Sequence, residues 1–140
     1  MWLLFAFLSA IAAAGVAIFA KLGLQTIDST LATTVRSVIM AGFLVIVSFL
    51  LKKFDGFSLT SFSSREWILI ALAGIAGALS WLFYFFALKQ GFASKVAAID
   101  RLSLVFVVVL AAVFLGETLG WKSALGALLM VAGALLITLK

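Results

Sequence analysis

The sequence predicts an all-α integral membrane protein with five transmembrane helices. Of the 140 residues, 66% are hydrophobic and only 11% are charged, whereas soluble domains contain roughly 45–50% apolar and about 25% charged residues. The chain also divides into five apolar runs of about 20 residues, the length that crosses a bilayer as a helix. These runs lack the alternation of barrel strands, and only helices or closed barrels satisfy the backbone hydrogen bonds in lipid.

Charged or polar residues separate the five runs, which are expected to form one domain over residues 1–140. The first run ends at Lys21 and the last stops just before Lys140. Because no basic stretch precedes the first run, it is expected to be a mature helix and not a signal peptide. The expected spans cover about residues 2–20, 31–51, 67–88, 95–115 and 119–139.

The polar stretch at residues 52–66 joins the second span to the third. Ser63 and Glu66 form a capping-box pattern there, which predicts a helix start near Ser64. The stretch is too short for a domain, and its three phenylalanines are expected at the membrane interface: Phe54, Phe57 and Phe62.

The composition excludes most catalytic chemistry. The chain has no His, Cys or Pro, which removes zinc and thiolate sites, Ser-His triads and disulfides. One acidic residue inside a span cannot form a two-aspartate intramembrane protease within one chain, so no enzyme, metal site or cofactor is expected. The net charge of +5 comes from basic residues that mostly flank apolar runs, which indicates a lipid bilayer as the partner and not a nucleic acid.

The charge balance between the two membrane faces predicts no strong orientation. An odd number of spans places the termini on opposite faces, and each face then holds four basic residues. Counting Arg36 and Arg101 with the C-terminal face gives six against four, a mild preference for a cytoplasmic C-terminus. A weak bias permits both orientations, so two opposite copies could form an antiparallel ten-helix homodimer, the inverted-repeat architecture of many transporters. A single weakly specified orientation is the alternative.

Three charged residues lie five or more positions inside the expected spans, where an unpaired charge costs at least about 2.5–3.5 kcal/mol near the centre. Arg36 and Asp100 each lie five positions into a span that enters from the same face, about 7–8 Å deep. They can pair if those spans are neighbours, while Arg101 points about 100° away from Asp100. A substrate-contacting role and a clamp that only fixes packing are equally compatible with this placement.

The third span carries a possible cavity wall. Gly74, Gly77, Trp81 and Tyr84 follow one another at spacings of three, four and three, so they share one helix face. Trp81 and Tyr84, with Ser80 beside them, offer rings and hydrogen-bonding groups to a solute. Ordinary helix packing with interface anchoring is the alternative.

The fifth span carries a stripe of small residues built around Gly126 and Gly133, which lie seven positions apart. Such stripes allow close approach of another helix. The stripe therefore predicts dimer packing against the same span of a second copy, and no substrate role.

Several segments together resemble the EamA domain of the drug/metabolite transporter superfamily. The stretch ALKQGFASKVAAIDRLSLVF at residues 87–106 resembles the junction of the family's third and fourth helices. The resemblance continues through FLGE at 114–117 and GALLMVAG at 126–133, and KLGL at 21–24 with Arg36 looks like the family's first two helices. It covers essentially the whole chain and implies a short five-helix member that works as an antiparallel homodimer.

The resemblance implies transport of small organic solutes, with two departures. Many EamA domains have a proline near the position of Ser103, whereas this chain has no proline. The kink that proline would cause there is therefore not expected from the sequence. The related small multidrug resistance proteins carry a carboxylate in their first helix for proton exchange. Since the first span here has no acidic residue, proton coupling could rest only on Asp100, and uncoupled transport stays open.

The leading hypothesis is a multi-pass transporter, an exporter of metabolites or drugs, in the inner membrane of a prokaryotic cell. It would work by alternating access as a dual-topology homodimer. Arg36 would bind an anionic group or position Asp100, Asp100 would exchange a proton or cation, and Trp81 with Tyr84 would stack on the solute. The candidate substrate and coupling residues are Arg36, Ser80, Trp81, Tyr84, Asp100, Arg101 and Ser103.

Two other functions remain compatible with the sequence. A small dual-topology ion channel would conduct an ion past Arg36 and Arg101. A non-transporting membrane subunit would pack through Gly126 and Gly133 onto a larger partner.

Overall fold

The computed structural model describes residues 1–58 and 61–139, and every regular element among them is helical. Lys140, expected just after the fifth span, lies outside the described residues. Five segments are long and apolar enough to cross a membrane, and α4 and α5 together form one of them. The all-α class with five candidate spans is therefore confirmed. The helices are α1 (Trp2–Gly23), α2 (Ser29–Leu50), α3 (Ser64–Gln90), α4 (Ala93–Asp100), α5 (Ser103–Leu115) and α6 (Trp121–Thr138).

The chain divides into two compact units. The first contains Met1–Lys21 and Gln90–Lys140. In this unit α6 packs against both α4 and α5. Two lysine ammonium groups close its helix ends, because Lys21 Nζ donates to the Gly91 carbonyl at 2.7 Å and Lys95 Nζ donates to the Thr138 carbonyl at 3.0 Å. These bonds satisfy carbonyls that have no partner within a helix.

The second unit, Leu22–Lys89, contains α2 and α3. Lys89, in the last turn of α3, donates from Nζ to the Ile27 carbonyl just before α2, at 3.1 Å. Phe85 and Leu88 of α3 are buried. This end of the unit is thus fixed by one charge-assisted hydrogen bond and by buried apolar side chains.

The start of α2 is fixed by Asp28. Its Oδ1 accepts hydrogen bonds from the backbone N–H groups of Thr30 at 2.8 Å and Leu31 at 3.1 Å. Capping of this kind satisfies N–H groups that the helix itself leaves unpaired. The Leu31 bond above all, then the Thr30 bond and the Lys89 charge, hold the pKa of the Asp28 carboxyl below its ordinary value, against a partial desolvation.

Asp28→Ala should therefore destabilise the start of α2, and the effect should depend on pH. A lowered folded-state pKa means that the ionised cap stabilises the protein above the unfolded-state pKa of about 3.9. That stabilisation is lost as the pH falls through the lower folded-state value. Thermal unfolding of the solubilised protein between pH 3 and pH 7, together with amide exchange at Thr30 and Leu31, measures it. Asp28→Asn, which keeps an acceptor without the charge, should show little of this pH dependence. Equal melting curves for Asp28→Ala and the parent would contradict the capping role.

The start of α3 confirms the capping-box pattern. The Ser63 backbone N–H donates to Glu66 Oε2 at 2.7 Å, and the Glu66 backbone N–H donates to Ser63 Oγ at 3.3 Å. This reciprocal pair places the first helical residue at Ser64. The helix then runs to Gln90, somewhat longer than the expected apolar run because its polar first turn belongs to it.

A row of aromatic rings connects the end of α2 to the start of α3. Ring centroids are 4.9 Å apart for Phe49 and Phe54, 6.2 Å for Phe54 and Phe57, 5.7 Å for Phe57 and Phe62, and 5.5 Å for Phe62 and Trp67. Such distances allow favourable edge and tilted contacts. The row therefore joins the described aromatic residues on either side of this connection by ring contacts.

The fourth span is interrupted, whereas the sequence predicted one helix over residues 95–115. Arg101 and Leu102 have φ/ψ of −65°/−14° and −63°/−18°, close to 3₁₀ values. The Leu102 N–H donates to the Ile99 carbonyl and the Val105 N–H to the Leu102 carbonyl, both at 2.9 Å and both three residues back. We call residues 99–105 the tightened turn. Since these amides stay hydrogen-bonded, the α pattern is interrupted here without a proline.

Candidate functional site

Arg36, the eighth residue of α2, lies over an aromatic side chain of α3. Its Cζ is 3.6 Å from the centroid of the Trp81 ring and 5.7 Å from that of Phe85. A cation over a ring face is attracted by about 0.5–1 kcal/mol when exposed and by about 2 kcal/mol when desolvated. Arg36 is half-buried. The contact therefore holds a permanent charge in place within a candidate span.

Trp81, Tyr84 and Phe85 form a cluster that we call the aromatic platform. The Trp81 and Tyr84 ring centroids are 5.6 Å apart at 82°, and those of Trp81 and Phe85 are 6.1 Å apart at 74°. Spacings of three and four residues place all three rings on one face of α3. Phe85 is buried, whereas Trp81 and Tyr84 are half-buried. Sequence reasoning did not name Phe85, although its position four residues after Trp81 was a usable signal.

The remaining candidates on α3 lie outside the platform. Ser80 is exposed and belongs to none of the ring contacts. Gly74 is exposed and Gly77 is half-exposed, and a Cβ atom at either position would meet no other atom within 4 Å. The small end of this helix face is therefore open in the single chain.

Polar side chains near Arg36 on α2 are hydrogen-bonded to their own helix. Thr33, Thr34 and Ser37 each donate a hydroxyl hydrogen bond to the carbonyl four residues earlier, at 2.7, 2.9 and 2.8 Å. The Asp28 carboxylate accepts from the first turn of α2. Within the described residues of this unit, the Arg36 guanidinium thus contacts aromatic rings and makes no hydrogen bond to a carboxylate.

The other candidates lie within the tightened turn in the first unit. Asp100 is the last residue of α4 and is half-buried, Arg101 lies in the turn, and Ser103 is the first residue of α5. Arg101 and Ser103 are exposed. The dipole of α4 disfavours a carboxylate at its C-terminus, whereas the dipole of α5 favours a negative charge near its N-terminus. Arg36 belongs to the other unit, so its pairing with Asp100 stays a prediction.

The two glycines of the small-residue stripe lie on α6. Gly126 is exposed and Gly133 is half-exposed, while the neighbouring Ala134 is buried. Among the described residues, a Cβ atom added at Gly126 or Gly133 would meet no atom of another part of the chain within 4 Å. The stripe therefore has room for another helix, and its role in a dimer stays a prediction.

The geometry offers charge recognition and aromatic contact. Arg36 presents hydrogen-bond donors beside the aromatic platform, and Asp100 presents a carboxylate beside an interrupted helix. In residues 1–58 and 61–139, no group of three or more His, Cys, Asp or Glu could hold a metal ion. Each unit thus places a charged side chain within a candidate span.

Comparison with known proteins agrees with this interpretation. Residues 1–139 match the EamA-like transporter family. A relative from Sinorhizobium sp., named an uncharacterized transporter in cobO 3'region, is 40% identical over 136 residues, which cover 97% of this chain and 95% of the relative. No solved structure matches the chain. The family match confirms the resemblance seen in the sequence motifs. With five candidate spans, the chain therefore belongs to the EamA-like transporter family and is a multi-pass integral membrane transporter.

Proposed function

We propose that this transporter exports small organic solutes, metabolites or drugs, across the inner membrane of a prokaryotic cell by alternating access. The observation that carries the proposal is Arg36, a permanent charge inside a candidate span that lies over the Trp81 ring. Ionisable residues inside spans are rare and typically line solute or ion paths, because elsewhere their cost is uncompensated. Family membership and the transporter name of the Sinorhizobium relative support a transport function.

The proposed working unit is an antiparallel homodimer of ten helices. One copy supplies five candidate spans, whereas many transporters combine two inverted halves around a site near the membrane midplane. The balance of basic residues between the two faces supports insertion in both orientations. The open glycine stripe on α6 supplies a surface where a second copy could pack closely.

The proposed solute and coupling groups come from both units. In the second unit, Arg36, Ser80, Trp81 and Tyr84 would contact the solute. In the first, the sequence candidates Asp100, Arg101 and Ser103 lie within the tightened turn. Interrupted helices are typical of transporter sites. Asp100 is the proposed proton or cation partner.

Dual topology is tested by labelling single cysteines in this cysteine-free chain. The two variants are Asp55→Cys, in the connection between α2 and α3, and Lys140→Cys. Three candidate spans separate the two positions along the chain, so they are expected on opposite faces of the membrane. A membrane-impermeant maleimide should label each variant partly from outside sealed cells, and fully after permeabilisation. Complete labelling of one variant from one side, with none of the other, would contradict the antiparallel homodimer.

A further inference from the structure

The Arg36 guanidinium lies with its face over the Trp81 ring. Within the described residues of its unit, its N–H groups donate no hydrogen bond to a side chain. Its Cζ lies 3.6 Å from the Trp81 ring centroid, a stacking distance that occupies the face of the cation. The five N–H donors of a guanidinium point outward in its plane, in a fixed fork that matches a carboxylate. Stacking therefore holds the donors in place without hydrogen-bonding them.

The three carboxylates of the same unit lie elsewhere, and the Thr33 and Ser37 hydroxyl groups near Arg36 are hydrogen-bonded to their own helix. Asp28 accepts from the N–H groups that begin α2, and Glu66 is hydrogen-bonded to Ser63 at the start of α3. The hydroxyl groups of Thr33 and Ser37 donate to their own helix. Asp55 follows the opposite end of α2. Within the described residues of the unit, the charge of Arg36 is thus balanced by aromatic rings alone.

A cationic solute is a poor fit to this arrangement. The Trp81 face that would attract a cation is occupied by Arg36. A second positive charge a few ångströms away would be repelled, and the repulsion grows as the local dielectric constant falls. An anionic group fits this arrangement well, because charge-assisted and bidentate hydrogen bonds to arginine are stronger than hydrogen bonds between neutral groups.

We infer that the solute recognised at Arg36 is an organic anion, whose carboxylate-type group meets the guanidinium rim while its apolar part contacts the aromatic platform. The inference rests on the proposed transport function and narrows its substrate class. Trp81 positions Arg36 in this scheme, since it holds the guanidinium face, and it is also part of the platform that the solute contacts. Arg36 is the binding residue.

Binding to the full-length chain tests the inference directly. A variant with Trp2, Trp67 and Trp121 replaced by Phe leaves Trp81 as the sole tryptophan of the four. In phosphatidylcholine nanodiscs, which lack anionic lipid, it is titrated with acetate, butyrate, hexanoate and cyclohexanecarboxylate. The amines of matching carbon skeleton serve as controls. We expect a saturable change in Trp81 emission with at least one carboxylate and none with its amine.

Substitutions at the site separate recognition from folding. Arg36→Gln should weaken carboxylate binding about tenfold or more, because it removes the charge-assisted hydrogen bonds, and Arg36→Lys should retain part of the affinity. By calorimetry, Trp81→Phe should retain binding and Trp81→Leu should lose it, as expected for a positioning ring. Circular dichroism checks that each variant is folded.

Three results would overturn the inference. The first is a response to amines without one to carboxylates, and the second is the absence of a response to every carboxylate. The third is unchanged carboxylate affinity in Arg36→Gln, alone or combined with Asp100→Asn. The transport proposal is separable, since saturable carboxylate binding without counterflow of that carboxylate in vesicles would contradict transport and leave the anion site intact. Counterflow of amines without carboxylate binding would contradict the anion site and leave the transport proposal intact.

Discussion

Asp100→Asn should abolish proton-driven accumulation of solute while leaving exchange of solute down its own gradient intact. Asp100 is the one acidic residue in the interrupted fourth span, and it ends α4 at the tightened turn. A carboxylate there can take up and release a proton, whereas an amide of nearly equal size cannot. Because the side-chain volume is conserved, the fold and the dimer should be retained.

The measurement uses proteoliposomes with an imposed pH gradient and a solute identified by a counterflow screen. With Asp100→Asn the internal solute should only reach the external concentration, with no accumulation above it, while counterflow stays close to that of the parent. Asp55→Asn is the matched control, since Asp55 lies in the connection between α2 and α3. If Asp100→Asn still accumulates solute against its gradient, the coupling group lies elsewhere or transport is not coupled to protons.

The spans could be predicted from the sequence because the bilayer imposes a simple requirement. About 20 apolar residues with internally paired backbone groups leave few alternatives. The capping box of Ser63 and Glu66 was predictable for a similar reason, since both partners lie within one turn of each other. The tightened turn was not predictable, because no proline or glycine marks residues 99–105 and apolar composition is the same for α and 3₁₀ geometry.

Contacts between residues far apart in the sequence could not be predicted in this way. From the sequence, the basic residues that flank the apolar runs were expected at the membrane edge. Three of them, Lys21, Lys89 and Lys95, each donate to a carbonyl 43 to 70 positions away. A charge pattern cannot specify which carbonyl a flexible lysine meets, since that depends on helix packing. For Arg36 the sequence predicted an intramembrane charge in need of a partner. The stacking of the guanidinium on the Trp81 ring depends on the packing of α2 beside α3, which the sequence pattern does not specify.

Gly133→Leu should weaken dimerisation and leave the fold of the single chain unchanged. A Cβ atom at Gly133 meets no other part of the described chain within 4 Å in one copy, so we expect the leucine to be crowded where a second helix approaches this part of α6. Overpacking a close interface costs about 1–3 kcal/mol, which corresponds to roughly 5–150-fold weaker association. Gly133→Ala, which adds a single carbon, should have a much smaller effect.

The matched control is Gly42→Leu on α2, where a Cβ atom also meets nothing within 4 Å and no dimer contact is proposed. Energy transfer between differently labelled copies, titrated against lipid dilution, measures association, and circular dichroism checks the fold. A loss of association in Gly133→Leu but not in Gly42→Leu would place α6 in the dimer interface. If both variants associate as the parent does, the copies meet through another helix. Weak association in both would indicate a general sensitivity to larger side chains on lipid-facing helices.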